Sequence, residues 1–385
     1  MSTQSLKPGW KMLKFGDIAQ NVAVRVDPAD AKTDVYVGLE HLDPSTLHLR
    51  QWGHPSDVTG QKLAFKKGDV IFGRRRAYQR KLAVAEFDGI CSAHAMVVRA
   101  KPKMILPELL PLFLQSDMFM DRAIEISVGS LSPTINWKTL KVQEFPLPPL
   151  DEQKRIAEIL WAADEALEQF SNASEKLQQT RETYLRGLSS NGAAKKWKVT
   201  KLCKCFEIVS GQVDPKEEPY RSMPLVAPNH IEQNTGRLIC IETAKDQNAI
   251  SGKYLFQSGD VVYSKIRPNL RKAFIAEFDG LCSADMYALR PLPDRIMTRF
   301  LLSILLGEHF TSFALTRCVR TGIPKLNRQE LSEYELPLPT IEDQKRISSH
   351  LEAIDAEEQN LIRHRDEVRE LKRQISREYL EISHV

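Results

Sequence analysis

The chain is written twice, at one constant offset that holds from about 68 to 356. The stretch 85–93, Ala-Glu-Phe-Asp-Gly-Ile-Cys-Ser-Ala, returns at 276–284 as Ala-Glu-Phe-Asp-Gly-Leu-Cys-Ser-Ala, identical at eight of nine positions and shifted by 191. Pro146-Leu147-Pro148 with Gln153-Lys154-Arg155-Ile156 returns as Pro337-Leu338-Pro339 with Gln344-Lys345-Arg346-Ile347, at the same shift. Gly68-Asp69 and Gly259-Asp260 keep the register, as do Pro133 and Asn136 with Pro324 and Asn327. Solenoid repeats run to roughly 20–50 residues, so this period marks a duplicated domain. Whatever such a chain does, it is built to do at two places.

The duplication also exposes a charge pattern that the average hides. The net charge is only +4. Residues 1–150 carry 20 basic and 15 acidic side chains, and 191–341 carry 21 and 16, so each is +5. Residues 151–190 carry 5 and 8, and 342–385 carry 8 and 11, so each is −3. Two basic domains therefore alternate with two acidic segments, and a polyanion is the partner expected for the basic parts. No apolar run approaches the roughly 20 residues needed to cross a bilayer. The first residues lack the apolar core of a signal peptide, so the cytoplasm is the expected compartment and no membrane partner is expected. Six cysteines show no metal-ligand spacing, and Cys91 and Cys282, repeat equivalents in apolar surroundings, read as small core residues.

Each copy has two parts, which gives the boundaries 1–150, 151–190, 191–341 and 342–385. The first part is mixed α+β. Runs such as Asp69-Val70-Ile71-Phe72 and Asp260-Val261-Val262-Tyr263 follow glycine and read as strands. The stretches 81–87 and 272–278 read as strands closed by an Asp-Gly turn. Residues 106–120 and 299–310 read as helical. The second part is one long helix. Ile156, Leu160, Ala163, Leu167, Phe170, Ser174, Leu177, Arg181, Tyr184 and Leu188 keep a 4–3 spacing. Ile347, Leu351, Ile354, Glu358, Leu361, Arg365, Val368, Lys372, Ile375 and Tyr379 repeat it. Spacing of 3.5 residues sustained this long predicts a coiled-coil seam, the alternative being an amphipathic helix on its own domain. Pro146, Pro148 and Pro149 keep the first helix from starting before Asp151, and Gly187 with Asn191-Gly192 is expected to end it. Residues 151–188 would form a rod of about 57 Å. If the seams pack together, the second helix must run antiparallel to the first. The two domains would then lie at opposite ends, related by a pseudo-two-fold axis, as in a two-fold DNA reader.

The densest basic stretch is Arg74-Arg75-Arg76-Ala77-Tyr78-Gln79-Arg80-Lys81, matched by Lys265-Ile266-Arg267-Pro268-Asn269-Leu270-Arg271-Lys272. Positions 74/265, 76/267, 80/271 and 81/272 stay basic, while Arg75, Tyr78 and Gln79 face Ile266, Asn269 and Leu270. A duplicated reader should share phosphate contacts and diverge at base contacts. Arg suits guanine, and Asn or Gln suits adenine. A solvated loop without a partner is the alternative. A second candidate is 128–136 with 319–327, where Ser130 and Thr321 offer hydroxyls suited to phosphate; a helix-capping loop reads equally well. His94 aligns with Asp285, so neither carries a shared catalytic role.

No phosphate-binding P-loop, dinucleotide glycine motif, His-Glu-x-x-His or nucleophile elbow is present. Pro146-Leu147-Pro148-Pro149 lacks the opening Asn or Asp of an adenine-methyltransferase tetrapeptide. Asp260 near Lys265 is weak evidence for a nuclease. No catalytic or metal-binding residue is therefore assigned.

The Pro-Leu-Pro-Pro-Leu-Asp-Glu-Gln-Lys-Arg-Ile stretch at 146–156, its copy at 337–347 and the two domains before them resemble the specificity subunit of a type I restriction–modification system, over nearly the whole chain. The second copy departs with Thr340 and Asp343 for Pro149 and Glu152, both compatible with a helix start. The resemblance implies two target-recognition domains, each reading half of a split site in double-stranded DNA. It implies helices that act as spacer and dock modification (methyltransferase) subunits. It also implies a restriction/translocase subunit reached through the complex. S-adenosylmethionine, ATP and Mg would be held by those partners, with no cofactor in this chain and no catalysis by it. The family's DNA-contact positions vary, so no individual contact carries over. Two other classes are a nuclease or single-chain modification enzyme, and a protein–protein adaptor with incidental charge.

Overall fold

The computed structural model describes residues 6–190, 197–318 and 323–380. The chain forms two compact units, one of Met1–Ala173 with Leu361–Val385, the other of Ser174–Asn360. Each unit holds one mixed domain and a stretch of both long helices. Compactness thus divides each helix along its length, whereas the sequence repeat divides the chain at the helix ends.

In the first unit one four-stranded sheet runs Ala19–Asn21, Met96–Ala100, Val70–Phe72, Leu82–Val84, all antiparallel. A second sheet runs Arg25–Val26, Lys62–Phe65, Gly89–Cys91, Tyr36–Val37, the last pair parallel. The strand Val70–Phe72 reads as an unbroken apolar run because both its faces are covered. Val70 and Phe72 enter the core shared with the helices, while Ile71 enters a separate core with Val37, Phe65 and Cys91. The second unit repeats this plan. Val261 and Tyr263 join the helical core there, and Val262 joins the other. A two-stranded ribbon, Lys11–Lys14 with Glu144–Leu147 and Lys198–Lys201 with Glu335–Leu338, closes each domain before its long helix.

The best-kept stretch of the repeat is a packing device. A side chain on Gly89 would put its Cβ 2.4 Å from the Phe65 ring, and one on Gly280 would come within 2.6 Å of Phe256. The preceding Asp88 and Asp279 each accept a backbone N–H from the facing turn, Lys67 at 2.8 Å and Ser258 at 2.9 Å. Cys91 and Cys282 are fully buried, and burial pushes both thiols up to about 12.

Two sequence expectations are corrected. The single helix expected at 106–120 is two helices, Leu109–Gln115 and Asp117–Glu125. The chain turns extended at Ser116, whose Oγ accepts from Phe119 N and caps the second helix. In the other copy Gly307 makes the same break, between Thr298–Leu306 and Glu308–Arg317. Gly187 does not end the first long helix, which runs Leu150–Ser190. One glycine costs about 1 kcal/mol in a helix, too little to stop a continuous one of this length. Residues 191–196, where Asn191-Gly192 was also expected to end the helix, lie outside the described residues.

The second long helix is Ile341–Leu380. Within each unit the two helices pair antiparallel. In the first, Asp164 meets Lys372 and the Phe170 and His364 rings lie 6.2 Å apart. In the second, Gln178 donates to Glu358 at 3.0 Å and Tyr184 bonds His350 at 3.0 Å. What covers the seam changes along each helix. Ile156 and Leu160 are buried in the first domain's core, with Ile375 and Tyr379 packed against it; Ile347 and Leu351 are buried in the second, with Tyr184. Leu167, Phe170, Leu361 and Val368 in the first unit, and Leu177 and Ile354 in the second, are half-buried.

The repeated glutamine of the helix start is a clamp. Gln153, 1% exposed, accepts from Leu106 N at 2.9 Å and donates to Met104 O at 3.0 Å and Pro148 O at 2.9 Å. Gln344 accepts from Met297 N at 2.8 Å and donates to Arg295 O and Pro339 O, both at 3.0 Å. Glu152 and Asp343, where the copies differ, accept from the Trp10 and Trp197 indoles at 3.2 and 3.1 Å.

Candidate nucleic-acid interface

The two basic stretches fold into one unusual loop. Each holds a single 3-10 turn, Ala77–Gln79 or Pro268–Leu270, flanked on both sides by left-handed arginines. Arg76 and Arg80 have φ of 56° and 52°, and Arg267 and Arg271 have 49° and 45°. Only two other described non-glycine residues adopt positive φ, Asn234 and Asn248. For a residue with a Cβ this conformation persists only where its surroundings impose it.

The second candidate segment supplies part of that imposition. Arg76 N donates to Pro133 O at 2.7 Å, and Ile135 N donates to Arg74 O at 2.9 Å. The other copy repeats both bonds, Arg267 N to Pro324 O and Leu326 N to Lys265 O, each 2.8 Å. The two segments read separately in the sequence are thus one surface, and the repeated Pro133 and Pro324 mark the joint. Arg75 Nε donates to Ser132 Oγ at 2.7 Å. Ser130 is exposed beside it, and Thr321 lies outside the described residues.

The shared basic positions divide by what they touch. Arg74 donates to Ala93 O at 3.0 Å, and its equivalent Lys265 lies 4.8 Å from the centre of the Tyr287 ring. Lys81 donates to Leu39 O at 2.8 Å and Lys272 to Pro228 O at 2.7 Å. Arg80 is paired with Asp117, and Arg271 with Glu182 at 2.6 Å. Only Arg76 and Arg267 are exposed with no side-chain hydrogen-bond or ion-pair partner among the described residues. Around them the positions that differ between copies, Arg75, Tyr78 and Gln79 in one and Asn269 in the other, are also exposed.

The second loop has cations that the repeat did not reveal. Burial first, then Lys325, with Arg328 acting the same way and Asp285 against, holds Lys265 below the usual lysine range. Arg328 donates to Ser210 Oγ at 3.2 Å and lies 6.0 Å from the Tyr287 ring. These positions are Thr134 and Trp137 in the first copy, so a search for shared charge passes over them.

The carboxylate weighed as a nuclease ligand is engaged elsewhere. Asp260, 2% exposed, accepts two bonds from Arg290 at 3.0 Å and one from Gln257 N at 2.9 Å; Asp69 receives Arg99 in the same way at 2.6 and 2.8 Å. Among the described residues no group of three His, Cys, Asp or Glu side chains could hold a metal, and no helix is long and apolar enough to cross a membrane.

The family described as the type I restriction modification DNA specificity domain matches residues 8–179 and again 194–368. The chain is 26% identical over 395 residues to the type I restriction enzyme EcoDI specificity subunit of Escherichia coli, covering 92% of this chain and 83% of that one. Its fold is similar to a chain from a structure of complex assembly and conformational transition of the type I R-M system (TM-score 0.60, 20% identity, 98% and 99% of the two chains). It is also similar to the type I restriction–modification system S subunit from M. genitalium (TM-score 0.60, 14% identity, 96% of each chain). Matched once in each copy of its repeat, the chain belongs to the type I restriction modification DNA specificity family.

Proposed function

We propose that this chain is the sequence-reading subunit of a type I restriction–modification complex. Each mixed domain reads one half of a bipartite duplex site. The paired long helices set the distance between the halves and dock the modification subunits. The restriction/translocase subunit joins through that complex. The chain does no chemistry itself; S-adenosylmethionine, ATP and Mg belong to its partners, and it works in the cytoplasm.

The observation that carries this reading is the loop bounded by left-handed arginines. Its backbone is the same in both copies, yet its exposed side chains differ, Tyr78 and Gln79 against Asn269 and the half-buried Leu270. Backbone-positioning contacts are shared between related readers, and base contacts are where they diverge. Arg76 and Arg267 are the shared cations with no side-chain partner among the described residues, and they suit phosphate.

Arg76→Ala and Arg267→Ala are each expected to weaken duplex binding. Each should lower the salt slope by about 0.9, as for one lost phosphate contact. Unchanged affinity and slope in both variants would remove these loops from the interface.

A further inference from the structure

Resting on the reading of these loops as the DNA-contacting surface, we propose that Arg80 and Arg271 are positioning residues. Each pins the end of its reading loop to the C-terminal stretch of a long helix, so that the exposed side chains are presented in one geometry.

The two loops begin and end differently. At the start, Arg76 and Arg267 are left-handed and exposed. At the end, Arg80 and Arg271 are left-handed and half-buried, with their guanidinium groups committed. Arg80 bonds Asp117, with Asp121 3.5 Å away, and the other oxygen of Asp117 receives Arg377 of the second long helix at 3.1 Å. Arg271 donates directly to Glu182 of the first long helix at 2.6 Å. An arginine held this way is not available to a phosphate.

The two anchors are unlike in detail. One is relayed through a carboxylate at a helix start, the other is direct, and Arg377 and Glu182 are not repeat equivalents. What the copies share is the outcome: a strained turn tied to a long helix. Burial alone would raise Asp117; the bonds from Arg80 and Arg377 outweigh it and hold the carboxyl below its ordinary range. It stays ionised, and the relay stays closed, at neutral pH. The ion pairs also supply what a left-handed arginine needs to persist. Each loop is therefore tied to the far end of the helix that begins in the other copy.

The test uses Glu182, because its removal separates the two roles by sign. Taking an anion away from a DNA-facing surface should strengthen binding, whereas taking away an anchor should blur reading. In the full chain, Glu182→Gln is expected to lower discrimination between the selected duplex and one altered in a single half-site by about tenfold. The salt slope should stay unchanged. Arg271→Glu should behave likewise, and Arg271→Glu with Glu182→Arg should recover most of the discrimination, with the thermal midpoint of each variant checking folding. Unchanged or sharper discrimination in Glu182→Gln, or a charge-swapped protein as defective as Arg271→Glu, would overturn the proposal. If Arg76→Ala and Arg267→Ala also leave binding intact, the DNA-reading assignment itself has failed, which is a separate outcome.

Discussion

The two copies place a carboxylate at the same position of their long helices and then use it differently. Asp164 meets Lys372 of the other helix, and Asp355 meets Arg181, 3.6 Å away. Lys372 and Arg181 are themselves 191 residues apart, so the rung between the helices is the same in both units. The third partner comes from the domain and is not the same. In the first unit it is His48, 3.3 Å from Asp164 and hydrogen-bonded to Glu86 at 2.8 Å; in the second it is Arg299. Ahead of Lys62 the copies leave the 191-residue register, Tyr36–Val37 corresponding to Leu225–Val226 at 189. The duplication has kept the backbone and the helix-to-helix contacts and let domain-facing side chains drift. The two arginine-bounded loops follow the same division, with shared left-handed arginines and divergent residues between them.

The comparison breaks most visibly where the copies should respond alike. Replacing Gln153 or Gln344 with Ala strands one N–H and two carbonyls in a buried site. A loss of about 3 kcal/mol or more is expected from each, at one to three per orphaned group. Hydrogen exchange resolved by unit should show each variant loosening its own unit by a similar amount. A large effect from one and none from the other would mean that the shared glutamine does not do the same job twice.

A smaller, one-sided effect sharpens the contrast. The hydrogen bond to Asp164 first, helped by Glu86 and opposed by burial and Arg50, raises His48 above its ordinary 6.5. A raised folded value means that protonated His48 stabilises the unit fully below the ordinary value, and that this contribution fades as pH rises through the folded one. The neighbouring Glu168 at 3.3 Å favours the same charged form. Exchange protection around residues 47–50 should therefore fall as pH climbs above 6.5. His48→Gln should flatten that profile. A profile unchanged in His48→Gln would place the titration elsewhere.

Much of the architecture was legible because the chain says it twice. The 191-residue register located the strands through Val70–Phe72 and Val261–Ser264, the fully buried cysteines and the start of both long helices. Ser116 was not legible as a helix break, since a capping serine in an apolar run looks like any other polar residue. The 4–3 spacing named the seam positions. It did not tell that Ile156 and Leu160 pack into a domain core while Lys372 closes an ion pair, because periodicity reports which face is covered and not by what. The basic loops were found by charge, yet charge alone could not separate Arg76 from Arg80. That distinction depends on Asp117 and Arg377, which are distant in sequence. Lys325 and Arg328 were missed because one copy alone carries them.

In the proposed function one scaffold, present twice, reads two different half-sites independently. Residues 1–150 can be exchanged for those of a relative with a different target, and modified bases mapped by sequencing host DNA that carries the exchanged gene. One half of the recognised site is expected to change to the relative's while the other half and the spacer stay as they were. A change in both halves, or in the spacer, would contradict that reading.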